Sequence, residues 1–522
     1  MSAIGISVTR SRSAVLAGMI FAVAMTFIDQ TIVSIAAPNI QRELALTNTG
    51  VQWAINAYLI SLAAFFALGG RLADTVGHRR MVTLGVVIFA GASVLCGLTP
   101  TGGAAEAWLI CFRAVQGLGG ALLFPAALGI VVQTFALHRR GRALALFFGI
   151  AGGLTAVGPV LGGYLTEWTW RAIFWVNVPV ALVALALIAL SHPETEHRAA
   201  PIDVWGVVLI TGGVALSVCG FQESASWGWQ NPATALCIAA GCALLVGFVA
   251  LERRTPAPLM PVRLFLVRAF AVENLVLFLA MLVFVPVFFF ASEYAEVALG
   301  KSAGEAGLYL LYFFLGFALA SQIGGRALDR RGAKRPVTLG CACAAGGLFW
   351  WAHEVTTLSF STQIWPVILA GAGMGLMLTP ASTDAVNRAP RLAYGEATGI
   401  AQTVRNYAAG LGLAVLGTIF VTELRARVTT TLLARGVPAG RAPADASRIA
   451  EARGAGTTGV IPHVIRLDVA FASRTVFEVM AAIMVVATAV ALVGLVPGVQ
   501  EDVPDAEPIR TQTSTRESVY EH

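Results

Sequence analysis

The sequence predicts an all-α polytopic membrane protein, and three observations carry that expectation. Of the 522 residues, 57% are hydrophobic and only 12% are charged, with a mean hydropathy of +0.76. A water-soluble surface needs roughly a quarter of its residues charged, so this chain cannot clothe a soluble fold. The apolar residues fall into continuous runs near the ~20 residues that cross a bilayer as helix. A closed β-barrel would show alternation over segments of about ten residues instead. With every backbone polar group needing an internal partner in lipid, continuous runs mean helices.

Taken in order, the runs predict spans near 14–36, 51–70, 81–98, 106–132, 142–165, 172–190, 204–222, 233–251, 269–291, 304–325, 336–353, 363–380, 396–420 and 473–496. The first is longer than a signal-peptide core and carries Asp29 and Gln30, so it reads as a retained helix. The distribution of Lys and Arg sets the orientation. With the N-terminus inside, the short inner loops hold Arg71, Arg79, Arg80, Arg139, Arg140, Arg142, Arg253, Arg254, Arg330, Arg331, Lys334 and Arg335, among others. The short outer loops hold only Arg42, Arg171 and Lys301. Both termini are therefore expected in the cytoplasm. The stretch 421–472 reads as a long outer loop with a short helix near 444–453, and the acidic tail 500–522 reads as disordered.

An internal repeat organises the chain. Residues 69–80 (GGRLADTVGHRR) align without gaps with 324–335 (GGRALDRRGAKR), 255 positions later. One lies after span 2 and the other after span 10. Two six-helix halves accommodate this if spans 7 and 8 are an insertion, as in transporters built from parallel repeats. The expected units are an N-terminal bundle at 1–190, the inserted pair at 191–252, a C-terminal bundle at 253–496 and a tail at 497–522.

Charges inside spans are expensive and mark function. Asp29 lies about two-thirds along span 1, with Thr26, Gln30 and Ser34 recurring at four-residue spacing beside it. A carboxylate out of water can be protonated near neutral pH. One that gains a proton facing one side and releases it facing the other is a proton carrier. Arg113 lies in the first half of span 4 and, always charged, needs an acceptor or water. It is expected to face the same cavity as Asp29. Arg405, beside Asn406 and Tyr407 in span 13, is a further cavity candidate. Net charge of +6 sits between apolar runs and follows topology, so no nucleic-acid partner is expected. There is no G-x-x-x-x-G-K-[ST] phosphate loop and no H-E-x-x-H, and the seven cysteines lack metal spacing. The chain reads as a transporter and not an enzyme, with no cofactor and no metal site.

These motifs resemble the major facilitator superfamily, and within it the fourteen-helix drug/proton antiporters. Gly70-Arg71-Leu72-Ala73-Asp74 with Gly77, Arg79 and Arg80 is similar to the signature loop after helix 2, with Thr75 and His78 standing at two usually basic positions. Asp29-Gln30-Thr31 through Pro38 resembles the acidic helix-1 motif, and Arg113-Ala114-Val115-Gln116-Gly117 the embedded arginine motif. Gly153, Gly158-Pro159 and Gly162-Gly163 resemble the antiporter motif of helix 5. Trp170-Arg171 with Asn177-Val178-Pro179, and Gln52-Trp53 with Tyr58, fit the same subfamily.

The resemblance implies proton-coupled export of small amphipathic or cationic drugs across the plasma membrane, with substrates, protons and lipid as partners and a monomer as the working unit. Asp29 and Arg113 would couple protons. Gln30, Trp53, Asn56, Tyr58 and Arg405 would line the cavity. Asp74, Gly77, Arg79, Arg80, Gly158, Pro159, Gly162 and Gly163 would govern the conformational switch. Export of one dedicated metabolite, antibiotic or siderophore is the alternative, and proton-coupled uptake a weaker one.

Overall fold

The computed structural model describes residues 12–135, 143, 146, 147, 150, 154, 157–192, 203–256, 258–387, 394–451 and 463–498. The helices are α1 (Arg12–Leu44), α2 (Asn48–Val76), α3 (His78–Gly97), α4 (Ala105–Thr134), α5 (Val157–Trp168), α6 (Ala172–Ser191), α7 (Val204–Trp227) and α8 (Pro232–Glu252). They continue as α9 (Arg268–Glu293), α10 (Ala303–Arg331), α11 (Lys334–Glu354), α12 (Phe360–Asn387), α13 (Tyr394–Ala434) and α14 (His463–Gly494). Each predicted span falls on one of them, α5 from Val157 onward. Among the described residues, twelve helices are long and apolar enough to cross a membrane.

Local chemistry sets several starts. Ser302 and Glu305 cap α10 reciprocally: Glu305 N–H donates to Ser302 Oγ at 3.2 Å, and Ser302 N–H donates to Glu305 Oε2 at 3.0 Å. Thr47 accepts from Gly50 N–H at 2.9 Å at the head of α2, and Asp203 from Gly206 N–H at 2.8 Å at the head of α7.

The outer stretch differs from the expectation. α13 runs 41 residues to Ala434, and α14 begins at His463, so both helices extend past the predicted spans at 420 and 473. Residues 421–434 are polar enough to escape a hydropathy reading yet continue the helix, and Arg427 pairs with Glu423 one turn back at 2.6 Å. Between them the short helix Ala442–Glu451 buries Ala442, Ala446 and Ala450 on one face. It packs on α13, and Asn48 Nδ2 at the head of α2 donates to Ala450 O at 2.6 Å.

Two bundles share one packing plan. In the first, α2 and α3 pack on α4 and α1 packs on α4, α5 and α6; in the second, α10 and α11 pack on α12 and α9 packs on α12, α13 and α14. The sequence repeat reappears as close helix contacts. Gly69 abuts Ala121 O, and Gly324 abuts Leu376 O. A Cβ on Gly85 would stand 2.8 Å from Gly119 O, and one on Gly340 2.8 Å from Gly373 O. Gly117 abuts Tyr58 O, and Gly371 abuts Phe313 O. Pairs 69/324, 85/340 and 58/313 all differ by 255, the offset of the sequence repeat. Gly77 and Gly332, also 255 apart, take positive φ of +109° and +75° where each loop turns, a conformation other residues resist.

The bundles meet along α2–α13, α5–α10 and α1–α9. The inserted α7 lies against α2 and α13, and α8 packs on α7.

Candidate functional site

Where the bundles meet, a pocket is lined by Thr26 and Gln30 of α1, Leu62 and Phe66 of α2 and Phe124 of α4. The second bundle contributes Met281 and Val285 of α9 and Gln402, Arg405, Asn406 and Ala409 of α13. Gln30 Nε2 donates to Asn406 Oδ1 at 3.3 Å, a polar contact across the two halves. Thr26, Gln402 and Arg405 add further polar groups to an otherwise apolar wall, and Arg405 is the one charged side chain among these lining residues. It is partly exposed into the pocket, and among the described residues no hydrogen bond or ion pair forms on it.

Asp29 and Arg113 come together, but not on the pocket wall as expected. They meet inside the first bundle, each 1% exposed. Arg113 Nη1 donates to Asp29 Oδ2 at 2.6 Å and to Gln116 Oε1 at 2.6 Å, and Nε donates to Ala54 O at 2.9 Å. Gln116 Nε2 donates to Asp29 Oδ1 at 2.9 Å and to Ser93 Oγ at 2.8 Å. Asn177 Nδ2 reaches the same Ser93 hydroxyl at 3.3 Å. The guanidinium lies 4.5 Å from the Tyr58 ring centroid and 5.8 Å from that of Phe174. One ion pair thus ties α1, α2, α3, α4 and α6. The geometry follows from helical spacing: Asp29 and Gln30 are neighbours about 100° apart around α1, so one turns to α4 while the other faces the pocket.

A buried pair so fully hydrogen-bonded tolerates its desolvation; removing one partner strands a charge, at about 3–5 kcal/mol. Gln116 was missed as a site residue. Its signal was available, since it stands one turn after Arg113 and so on the same helix face.

Tyr58 belongs to this network, its hydroxyl donating to Thr26 O at 3.2 Å. Trp53 and Asn56 turn elsewhere. Trp53 Nε1 donates to Glu223 Oε1 at 2.6 Å, and the amides of Asn56 and Gln222 meet. Both therefore face the inserted α7 and lie off the pocket lining, as does Tyr58. At the position of Tyr58 in the repeat, the second bundle has Phe313, packed against Phe284 and Phe288 at 6.3 and 5.4 Å between ring centroids.

The glycines of α5 work on two faces. Gly158 abuts Thr31, and Gly162 abuts Ile32, so one face seats α1. A Cβ on Gly163 would stand 2.8 Å from Ala303 O, and one on Gly307 2.5 Å from Pro159 O, so the other face seats α10 of the opposite bundle. Ser302 Oγ donates to Glu167 Oε1 at 2.9 Å at the end of this seam. At the same end, Arg42 Nη2 lies 3.2 Å from Glu296 Oε2, to which Asn39 Nδ2 also donates at 3.3 Å. Gly153 lies outside the described residues. In the loop between α2 and α3, Asp74 Oδ1 is 3.3 Å from His78 Nε2, the buried His78 packs against Gly129 of α4, Arg79 is half-buried and Arg80 is exposed. Asp74 thus pairs across the loop and not with Arg79 or Arg80.

Two pseudo-equivalent helical bundles meeting around a pocket, with an ion pair buried beside it, are the layout of a transporter built from parallel repeats. The chain belongs to the Major Facilitator Superfamily, whose model matches residues 19–413. It is 30% identical over 508 residues to the tetracenomycin C resistance and export protein of Streptomyces glaucescens, covering 95% of this chain and 94% of that one. A puromycin resistance protein of Streptomyces alboniger is 34% identical, covering 76% and 79%. A cephamycin export protein of Amycolatopsis lactamdurans is 34% identical, covering 75% and 81%. Among solved structures, a bacterial homologue of the human lysosomal transporter Spinster, inward-facing and unoccupied, aligns with a TM-score of 0.62 at 17% identity over 92% of this chain and 96% of that one. A D-xylose–proton symporter aligns at 0.52 and 16% identity, covering 78% and 88%. These likenesses concern the fold alone.

Proposed function

We propose that this protein exports small amphipathic compounds across the plasma membrane in exchange for protons, by alternating access, with both termini in the cytoplasm. The observation that carries the coupling is the Asp29–Arg113 pair, adjacent in α1 to the pocket residue Gln30. Protonation of Asp29 removes the charge that balances Arg113 and leaves the guanidinium held by neutral acceptors, Ala54 O and Gln116 Oε1 among them. The affinity of five helices for one another then depends on a single proton, and α1 also carries the pocket wall and the seam with α5. A proton gained from outside and released inside would thus bias the rocking of the halves. The energy suffices: a membrane potential gives about 2.3 kcal/mol per charge per 100 mV, and a pH unit adds about 1.4 kcal/mol.

Direction is supported by the export and resistance activities in the names of the relatives. Those names also favour a second reading, export of one dedicated antibiotic, because each of the three specifies one antibiotic. The test is whole-cell efflux of a compound panel in cells whose ATP is clamped, with and without a protonophore. The account expects efflux that the protonophore abolishes. Efflux that survives it overturns proton coupling, and efflux of one compound alone selects the dedicated exporter.

A further inference from the structure

The geometry points to Arg405 as the substrate-recognising charge of the pocket, and to substrates that present an anionic group, such as a carboxylate or phenolate, on an apolar body. The inference rests on the exporter reading and names its substrate class. Arg405 on the pocket wall and Asp29 inside the first bundle differ in their surroundings. Asp29 is covered on both oxygens by Arg113 and Gln116, so its charge is spent inside the bundle. Arg405 has a largely buried side chain on the pocket wall and, among the described residues, no acceptor.

A guanidinium cannot shed its proton to relieve this, and its planar fork matches a carboxylate in bidentate geometry. Its neighbours Gln30, Gln402 and Asn406 supply further amide donors, while Phe66 and Phe124 offer aromatic surface. No carboxylate lines the pocket among the described residues, so a cationic substrate would meet a like charge with nothing to offset it. The expectation of cationic drugs drawn from resemblance therefore gives way here to an acidic amphipathic class.

Three probes of one ring system separate the possibilities: anthracene-9-carboxylate, its methyl ester and 9-(aminomethyl)anthracene. Binding is measured by equilibrium dialysis against the full chain in lipid nanodiscs, with empty nanodiscs subtracted. The wild type should hold the carboxylate at least about tenfold more tightly than the amine, since a charge-assisted hydrogen bond separates them. Arg405→Gln should erase that preference, and Arg405→Lys should retain part of it. Equal or tighter binding of the amine by the wild type overturns the proposal, whatever becomes of the variants. So does an unchanged preference in a folded Arg405→Gln. If the carboxylate preference is found but whole cells export none of the probes, the recognition stands and the exporter reading fails.

Discussion

The seam between α5 and α10 makes a sharp prediction, because backbone meets backbone there. A Cβ added to Gly307 would stand 2.5 Å from Pro159 O, against about 3.4 Å for ordinary contact, so the helices must part by about 0.9 Å. Neither atom belongs to a flexible side chain that can swing aside. Overpacking of this kind costs about 1–3 kcal/mol. Charged only to the state in which the seam is closed, that cost shifts the balance toward other states by about 5- to 150-fold. The assay is a spin-label distance measurement between cysteines placed at Trp168 and Lys301, which lie near the same end of the seam. Gly307→Ala should add a longer-distance population. Gly346→Ala, where an added Cβ meets nothing within 4 Å, is the control and should leave the distribution unchanged. An unaltered distribution in Gly307→Ala would refute the claim that this seam holds the closed state.

Further outcomes follow from the same contacts. Arg42→Glu should weaken closure at that end, and the added Glu296→Arg should restore it in the same spin-label assay; Arg42 is half-exposed but Glu296 is 4% exposed, so the reversal should exceed the ~1 kcal/mol of a surface pair. Gly77→Ala forces a side chain into φ +109° and should cost about 1–3 kcal/mol, read as a lower thermal midpoint. Gln116→Leu removes the amide bridging Asp29 and Ser93, and should lower both the thermal midpoint and transport.

Much of this architecture was legible beforehand. The span ranges follow from hydrocarbon thickness, and the repeat at offset 255 signalled the paired glycine contacts of α2–α4 and α10–α12. Asp29, Arg113 and Arg405 stood out because charge in lipid is costly. What the sequence could not supply was direction around a helix axis relative to unknown neighbours. Asp29 and Gln30 diverge because α4 lies on one side of α1 and the pocket on the other. Trp53 and Asn56 face α7 because the inserted hairpin docks on α2, a placement no local pattern encodes. The helical extensions at 421–434 and 463–472 were hidden because hydropathy responds to polarity and not to helix propensity.

Drug-evoked proton movement in energised inverted vesicles, followed with a pH-sensitive dye, tests the coupling claim most directly. Wild-type protein should dissipate the pH gradient when an exported compound is added, and Asp29→Asn should not, while still binding that compound. A wild-type-like response from Asp29→Asn would contradict the assignment of Asp29 as the proton carrier.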